Sequence, residues 1–326
     1  MGCSEWYRWF GEHDARGRSP SYARLALAVA DDAELCARID ALPPPKQQPN
    51  LLFAAVRYRG GPTDQWAAFR DFATERWSEL VDVMVAHSTQ TNEAGRCASL
   101  VPVLAGLPQP VSLIELGTSA GLCLYPDRYQ YRYDDTVVGA SPVVIDVACT
   151  GPVPVPEVLP EVVGRVGVDL TPRDVTDPDD RAWLRACIWP EQLDRQARFE
   201  AAAEIVAADP PQLVTADLVE ALADVVDAAP DAATTVVFHS AVAIYLSDAQ
   251  RDALTHALRD RVDVVWISNE APGLFAGLET AARPPAHQNQ ESYMEIGVGG
   301  REVVGLTGPH GSWVAWPPSS LPAGAR

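Results

Sequence analysis

Apolar positions recur every three or four residues through the first hundred residues, the spacing of helices that bury one face. Pro20 to Leu42 carries Tyr22, Leu25, Leu27, Val29, Leu35 and Ile39 in that rhythm, loosened at Asp31-Asp32. Pro43-Pro44-Pro45 stops it, since proline lacks the helical donor. Asn50 is placed to cap a helix over Leu51–Tyr58, which Gly60-Gly61-Pro62 ends. Trp66, Phe69, Phe72, Trp77, Leu80 and Val83 mark one further helix from Trp66 to Ala86, with the aromatic stripe as core. The polar run His87 to Arg96 follows. Within it Asn92, Glu93 and Arg96 lead in helical register into Cys97–Leu104, so the run reads as a solvated helix cap.

Past residue 110 the rhythm changes. Val111 to Leu116 is a buried strand, after which Tyr129, Tyr131 and Tyr133 alternate with Gln130 and Arg132. Asp134-Asp135 interrupts and Val143–Ala148 resumes, together a hairpin with one face exposed. A proline-rich loop leads to a strand at Arg165–Leu170, and short β-rich runs lie at Gln212–Asp217, Thr235–His239 and Val262–Glu270. Helical stretches Asp177–Cys187 and Glu191–Ala208, parted by Trp189-Pro190, complete an alternation that predicts a parallel sheet with crossover helices. Trp183 and Trp189 read as packing. Met294–Val298, Glu302–Leu306 and Ser312–Trp316, separated by Gly299-Gly300 and Gly308-Pro309, predict antiparallel strands closing the edge of the sheet. The final residues, from Pro317 on, read as a frayed terminus.

The sequence around the first strand, Glu115-Leu-Gly-Thr-Ser-Ala-Gly-Leu122, predicts a tight turn at Gly117 and a helix starting near Gly121. A helix there would aim free N–H groups and the positive end of its dipole into the turn. This resembles the E/D-x-G-x-G-x-G loop of class I S-adenosylmethionine-dependent methyltransferases, with Ser119 in place of the middle glycine; it is not the G-x-G-x-x-G fingerprint of dinucleotide folds. In open α/β sheets ligands bind beyond the carboxyl ends of the strands. The candidates are therefore Glu115, Gly117, Ser119 and Gly121 in the turn, Asp169 for ribose hydroxyls and Asp217 for an adenine amino group. Asp134 competes with Asp169 by its distance from the glycine turn, but Asp169 ends the better buried strand. His239 is the candidate general base, its ordinary pKa lying near neutrality. Glu270 would orient it or act itself, and Tyr245, Asn92, Glu93, Arg96 and Asn269 would position a substrate. Positioning is the main need of methyl transfer from a sulfonium.

Composition narrows the field. Lys and Arg number 25 against 44 Asp and Glu, a net charge of −19 that disfavours binding a nucleic-acid backbone. No apolar run reaches the length of a membrane span, and the first residues lack a basic-then-apolar leader, so a cytoplasmic protein is expected. Cys3, Cys36, Cys97, Cys123, Cys149 and Cys187 form no C-x-x-C pair and read mostly as buried thiols. No spacing of His, Asp and Glu matches a metal motif.

Several stretches resemble the DUF2332 family of largely actinobacterial proteins: Arg18-Ser-Pro-Ser-Tyr22, Pro49 to Val56, Gln90-Thr-Asn-Glu93 with Arg96, Glu115 to Leu122 with Asp127-Arg-Tyr129, Val168 to Pro172, Trp183 to Pro190, Val237-Phe-His-Ser240 and Ser268-Asn-Glu270. Cys123 stands where that pattern typically has a polar residue such as Asn. The resemblance implies an α/β fold with a Rossmann-like, class I methyltransferase-type sheet. The expected organisation is a helical N-terminal region over residues 1–105 that caps the pocket. A domain binding S-adenosylmethionine would follow over 106–326, with a β-hairpin insertion near 129–164. The expected activity is methyl transfer to a small molecule. The alternatives are a nucleotide- or NAD-binding enzyme of another class, and a non-catalytic ligand-binding or regulatory protein of the same fold.

Overall fold

The computed structural model describes residues 2–275 and 293–318. Its helices are α1 (Cys3–Trp9), α2 (Pro20–Asp31), α3 (Ala33–Asp40), α4 (Pro49–Tyr58), α5 (Trp66–Glu75), α6 (Trp77–Ala86), α7 (Cys97–Leu104), α8 (Pro178–Cys187), α9 (Leu193–Ala208), α10 (Leu218–Asp227) and α11 (Asp248–Arg259). The chain divides into two compact units. One comprises Met1–Thr91 with Asp174–Phe199, the other Asn92–Arg173 with Glu200–Arg326.

The first unit is helical. The loosened rhythm at Asp31-Asp32 is a true break, because the Asp32 carboxylate accepts from the Leu35 N–H at 2.9 Å and caps α3. The Trp66–Ala86 stretch is likewise two helices and not one, α5 ending at Glu75 and α6 starting at Trp77 around Arg76. Pro49, with no N–H to lose, opens α4. Asn50 is therefore inside the helix instead of capping it, and its side-chain oxygen accepts from the Trp189 indole N–H at 3.0 Å. Phe53 sits at the centre of an aromatic cluster, 4.7 Å from Tyr22 and edge-on to Tyr7 and Phe69. Trp183 is fully buried and Trp189 lies against Phe10 and Tyr22, both as packing residues.

The second unit is built on a single sheet. Its strands are β1 (Val111–Leu116), β2 (Gln130–Tyr133), β3 (Thr136–Val138), β4 (Val144–Thr150), β5 (Val162–Asp169), β6 (Gln212–Thr215), β7 (Thr234–Ser240), β8 (Val264–Glu270), β9 (Met294–Val298), β10 (Glu302–Thr307) and β11 (Trp313–Ala315). The order across it is β3-β2-β4-β11-β10-β9-β8-β7-β1-β5-β6. The block β6-β5-β1-β7-β8 is parallel, with β1 buried along its whole length. Ile114, Leu116, Val168, Val237 and Trp266 pack on one face against α10 and α11.

Three sequence expectations change here. The antiparallel tail β9–β11 does not close an edge, because β11 pairs in parallel with β4 and the sheet runs on to β3. The hairpin formed around Asp134-Asp135 joins β2 to β3, while the Val144–Thr150 strand lies parallel to β2. No helix follows the Gly117 turn: Leu122–Leu124 and Pro126–Arg128 are single 3₁₀ turns. The tail from Ser319 lies outside the described residues. Among those described, no helix is long and apolar enough to cross a membrane, and none of the six cysteines is in a disulfide, four of them being buried.

Candidate functional site

The turn after β1 is the point where five backbone donors could be offered to a ligand. Gly117 has φ +73°, and a Cβ there would fall on the Val242 side chain, so this position needs glycine on both counts. Gly121 is also left-handed, at φ +74°. Ser119 adopts φ +51° although it is not glycine. Such a conformation costs about 1–3 kcal/mol and persists only where its surroundings enforce it.

Those surroundings are specific. The Ser119 N–H donates to Asp169 Oδ2 at 2.8 Å, and the Ala120 N–H donates to Asn92 Oδ1 at 3.0 Å. The same Asn92 amide donates to Ser119 Oγ at 2.8 Å. Gly117 and Thr118 donate to the Val168 carbonyl at 2.7 and 3.2 Å, and Gly121 donates to the Thr118 carbonyl at 2.9 Å. All five N–H groups therefore have partners within the protein. The turn is a braced corner and offers no open row of donors.

The last part of the polar run before α7, Asn92–Arg96, is buried, where the sequence suggested a solvated cap, while Ser88 and Thr91 are exposed. Asn92, Glu93 and Arg96 are each at most 9% exposed. Glu93 Oε1 accepts from the Gly95 N–H at 2.9 Å and starts the turn into α7. Arg96 donates to the carbonyls of Ser240 and Pro309 at 3.0 and 3.1 Å, tying the end of β7 to the loop after β10. Asn269 donates to the hydroxyls of Ser99 and Ser240, both at 3.2 Å, while its own oxygen is buried without a partner. Glu115 points to this α7 side of the sheet and accepts from Thr118 Oγ1 at 2.7 Å. Burial pushes its pKa well above the ordinary carboxylate range and nearby Cys123 adds to the effect, while the Thr118 hydroxyl and the Arg96 charge oppose it.

His239 and Glu270 are together but on the other face. Leu116 lies beside His239 in the ladder and Glu115 beside Phe238. Because side chains alternate along a strand, Glu115 and His239 leave the sheet in opposite directions. His239 Nδ1 donates to Glu270 Oε1 at 2.7 Å, and its Nε2 accepts from the Trp266 indole at 3.0 Å. Both ring nitrogens are thus engaged and the tautomer is fixed with its proton on Nδ1. Glu270 Oε1 also accepts from the Val242 N–H at 3.0 Å, and Glu270 Oε2 is buried with no partner. Tyr245, in the turn after β7, is 77% exposed and stands apart from this pair.

The two carboxylates named for the cofactor end their strands. Asp169 ends β5 beside β1, and its oxygens accept from Ser119 and, at 2.9 Å, from Thr171. Asp217 caps α10, one oxygen accepting from the Val219 and Glu220 N–H groups at 2.9 and 3.4 Å. Asp134 lies in the β2–β3 turn, with six strands between β2 and β1 in the sheet order, and accepts from the Cys149 N–H at 3.0 Å. A cavity of about 360 Å³ opens at the other end of β7, beside Thr235, with Arg261 between Asp227 and Asp263. No group of three metal-ligating side chains comes together among the described residues.

Two functional features escaped the sequence. Val242, which covers Gly117, is an ordinary apolar residue in a loop and carried no signal. Arg165 did carry one, being a charge within an otherwise apolar strand, and its side chain, 9% exposed, needs a partner. It makes paired bonds to Asp127 at 2.9 and 2.7 Å and lies 4.5 Å over the Tyr125 ring, holding the two 3₁₀ turns after the bend.

No curated protein and no solved structure matches the chain. A family described as "Uncharacterized protein conserved in bacteria (DUF2332)" matches residues 4–316. That span takes in the bend, every strand of the sheet and nearly all of both compact units, so the chain belongs to the DUF2332 family.

Proposed function

We propose that the protein binds S-adenosylmethionine over the carboxyl ends of β1, β5 and β6 and transfers its methyl group to a small molecule. The observation that carries this reading is the parallel block β6-β5-β1-β7-β8. Numbered within that block it runs third, second, first, fourth, fifth, the doubly wound order of Rossmann-like sheets, which bind ligands at the point where the order reverses, here between β1 and β7. Asp169, ending the second strand of the block, stands where such folds place the carboxylate for a ribose. Each of its oxygens accepts one backbone N–H. A carboxylate has about four acceptor positions, so two remain for hydroxyls.

The ribose end fits the residues present, and Asp217 has a second oxygen for an amino group. The glycine turn does not fit a role as an anion cradle, because its N–H groups are engaged. When bound, the cofactor supplies an electrophilic methyl group on a sulfonium. The chain's contribution is to fix the cofactor through Asp169 and Asp217 and to align an acceptor. With its Nε2 held by the Trp266 indole and its Nδ1 by Glu270, His239 presents no ring nitrogen to a substrate and has a structural part in this conformation.

That same engagement of His239 and Glu270 favours a second reading, a ligand-binding or regulatory protein that performs no transfer. Calorimetric titration with S-adenosylhomocysteine separates the cases. Roughly micromolar binding, weakened at least about tenfold by Asp169→Asn, supports the site, and methyl transfer to a panel of small nucleophiles then decides between enzyme and binder. A folded protein giving neither heat nor a thermal shift with either adenosyl ligand removes the proposal.

A further inference from the structure

Four features meet where the loops after β1 and β7 touch. Ala241 has φ +56°, a non-glycine residue in the left-handed region like Ser119, and it follows β7 as Ser119 follows β1, the strands on either side of the reversal point. Its N–H donates to the Asn269 carbonyl at 3.0 Å. Val242, next to it, lays its side chain over Gly117, in the space between the two loops. The Val242 N–H is tethered to Glu270 Oε1, while the other Glu270 oxygen is buried and unpartnered. Beyond the tether, Ala243 is buried in the core and its carbonyl accepts from Arg251 at 2.9 Å, while Ile244 and Tyr245 are 61% and 77% exposed.

These features describe a closed arrangement held in place but not optimal. A left-handed alanine is strained, and a carboxylate oxygen buried without a donor is expensive. Both defects vanish if the Ala241–Val242 link swings outward about the anchored Ala243: Ala241 relaxes and Glu270 gains a donor from solvent or from a ligand. The same motion lifts Val242 off Gly117 and opens the crevice between β1 and β7, the place a ligand must enter in this topology.

We propose that the Ala241–Val242 link is a gate on the switch-point crevice, with Val242 as its plug and Glu270 as its latch, opened by a ligand that brings a hydrogen-bond donor to the Glu270 carboxylate. The identity of that ligand as an adenosyl compound rests on the function proposed above; the gate itself does not. A ligand that binds only the open form has its affinity reduced by the fraction of molecules that are open. Two neighbouring substitutions must then act in opposite directions. Ala241→Gly removes the strain of the closed form and keeps the gate shut, whereas Val242→Ala shrinks the plug and opens it.

The test combines hydrogen exchange of the ligand-free protein with titration by S-adenosylhomocysteine. Exchange over residues 241–246 should slow about fivefold in Ala241→Gly and quicken about tenfold in Val242→Ala, with β1 amides unchanged in both. Affinity for the ligand should fall in the first variant and rise in the second by similar factors. A turn with a merely structural role would weaken binding in both variants or shift exchange across the whole sheet, and either result overturns the gate. If wild type and Val242→Ala both bind nothing, the adenosyl reading fails, and the exchange data alone decide the gate: opposite shifts uphold it and unchanged rates reject it.

Discussion

Glu115 shows what burial does to a single ionisable side chain. It is 5% exposed, beside Cys123 and within reach of Asp169, and its pKa is held well above the ordinary 4.5. Above that ordinary value the unfolded chain releases the proton that the folded chain keeps. The folded state then binds more protons, and stability falls as pH rises toward the folded pKa. Glu115→Gln has no proton to lose and keeps an acceptor for Thr118. Urea unfolding between about pH 5 and about pH 8 should therefore show wild type losing stability relative to the variant as pH rises; parallel curves would show that the carboxyl group is ionised in the fold. The sequence marked Glu115, Gly117, Ser119 and Asn92 as belonging together. It did not show that Asn92 and Asp169 take up the turn's donors, since residues 27 and 50 positions away meet the bend only after folding.

At the scale of elements, the segment after the bend is set by a partner the local pattern does not contain. Leu122 to Arg128 follows Gly121 and begins with apolar residues suited to a helix start, yet it forms 3₁₀ turns because Arg165 on β5 grips Asp127 and Tyr125. Tyrosines at and just before β2 complete the fastening, Tyr129 and Tyr131 donating to the carbonyls of Leu122 and Pro126 at 2.7 and 2.8 Å. Lysine cannot reproduce the planar fork or the stacking of arginine. Arg165→Lys should consequently cost about 1–3 kcal/mol, close to the loss in Arg165→Ala, as read from urea denaturation midpoints; a neutral Lys variant would show that charge alone suffices. Helix ends follow the same logic. The break at Asp32 was visible because an aspartate cap is a local signal, whereas the break at Arg76 has no capping side chain to announce it.

Across the whole molecule, strand identity and strand neighbourhood separate. The apolar runs that predict β1, β5, β6, β7, β8, β9, β10 and β11 are all strands, because continuous or alternating apolar residues bury a strand whatever lies beside it. Their order is another matter. β11 joins β4 through three ladder positions, Trp313 to Ala148, Val314 to Cys149 and Ala315 to Thr150, and so carries the sheet on to β2 and β3. Proline at Val314 removes a ladder donor in mid-strand. Val314→Pro should cost about 3 kcal/mol and expose residues 129–161 to limited proteolysis; resistance there equal to wild type would mean that β4 holds without β11.

The sequence by itself determined the α/β class, the family, nearly every strand and the identity of the residues crowding the first turn, because these depend on periodicity and on residue type within a few positions. Only the tertiary structure decided that the tail lies inside the sheet, that Glu115 and His239 face opposite sides of it, and that Val242 covers Gly117. Those outcomes depend on strand register and on contacts between residues far apart in the chain. A one-residue change of register turns a side chain from one face of a sheet to the other, and no local pattern encodes which distant residue will fill a gap above a glycine.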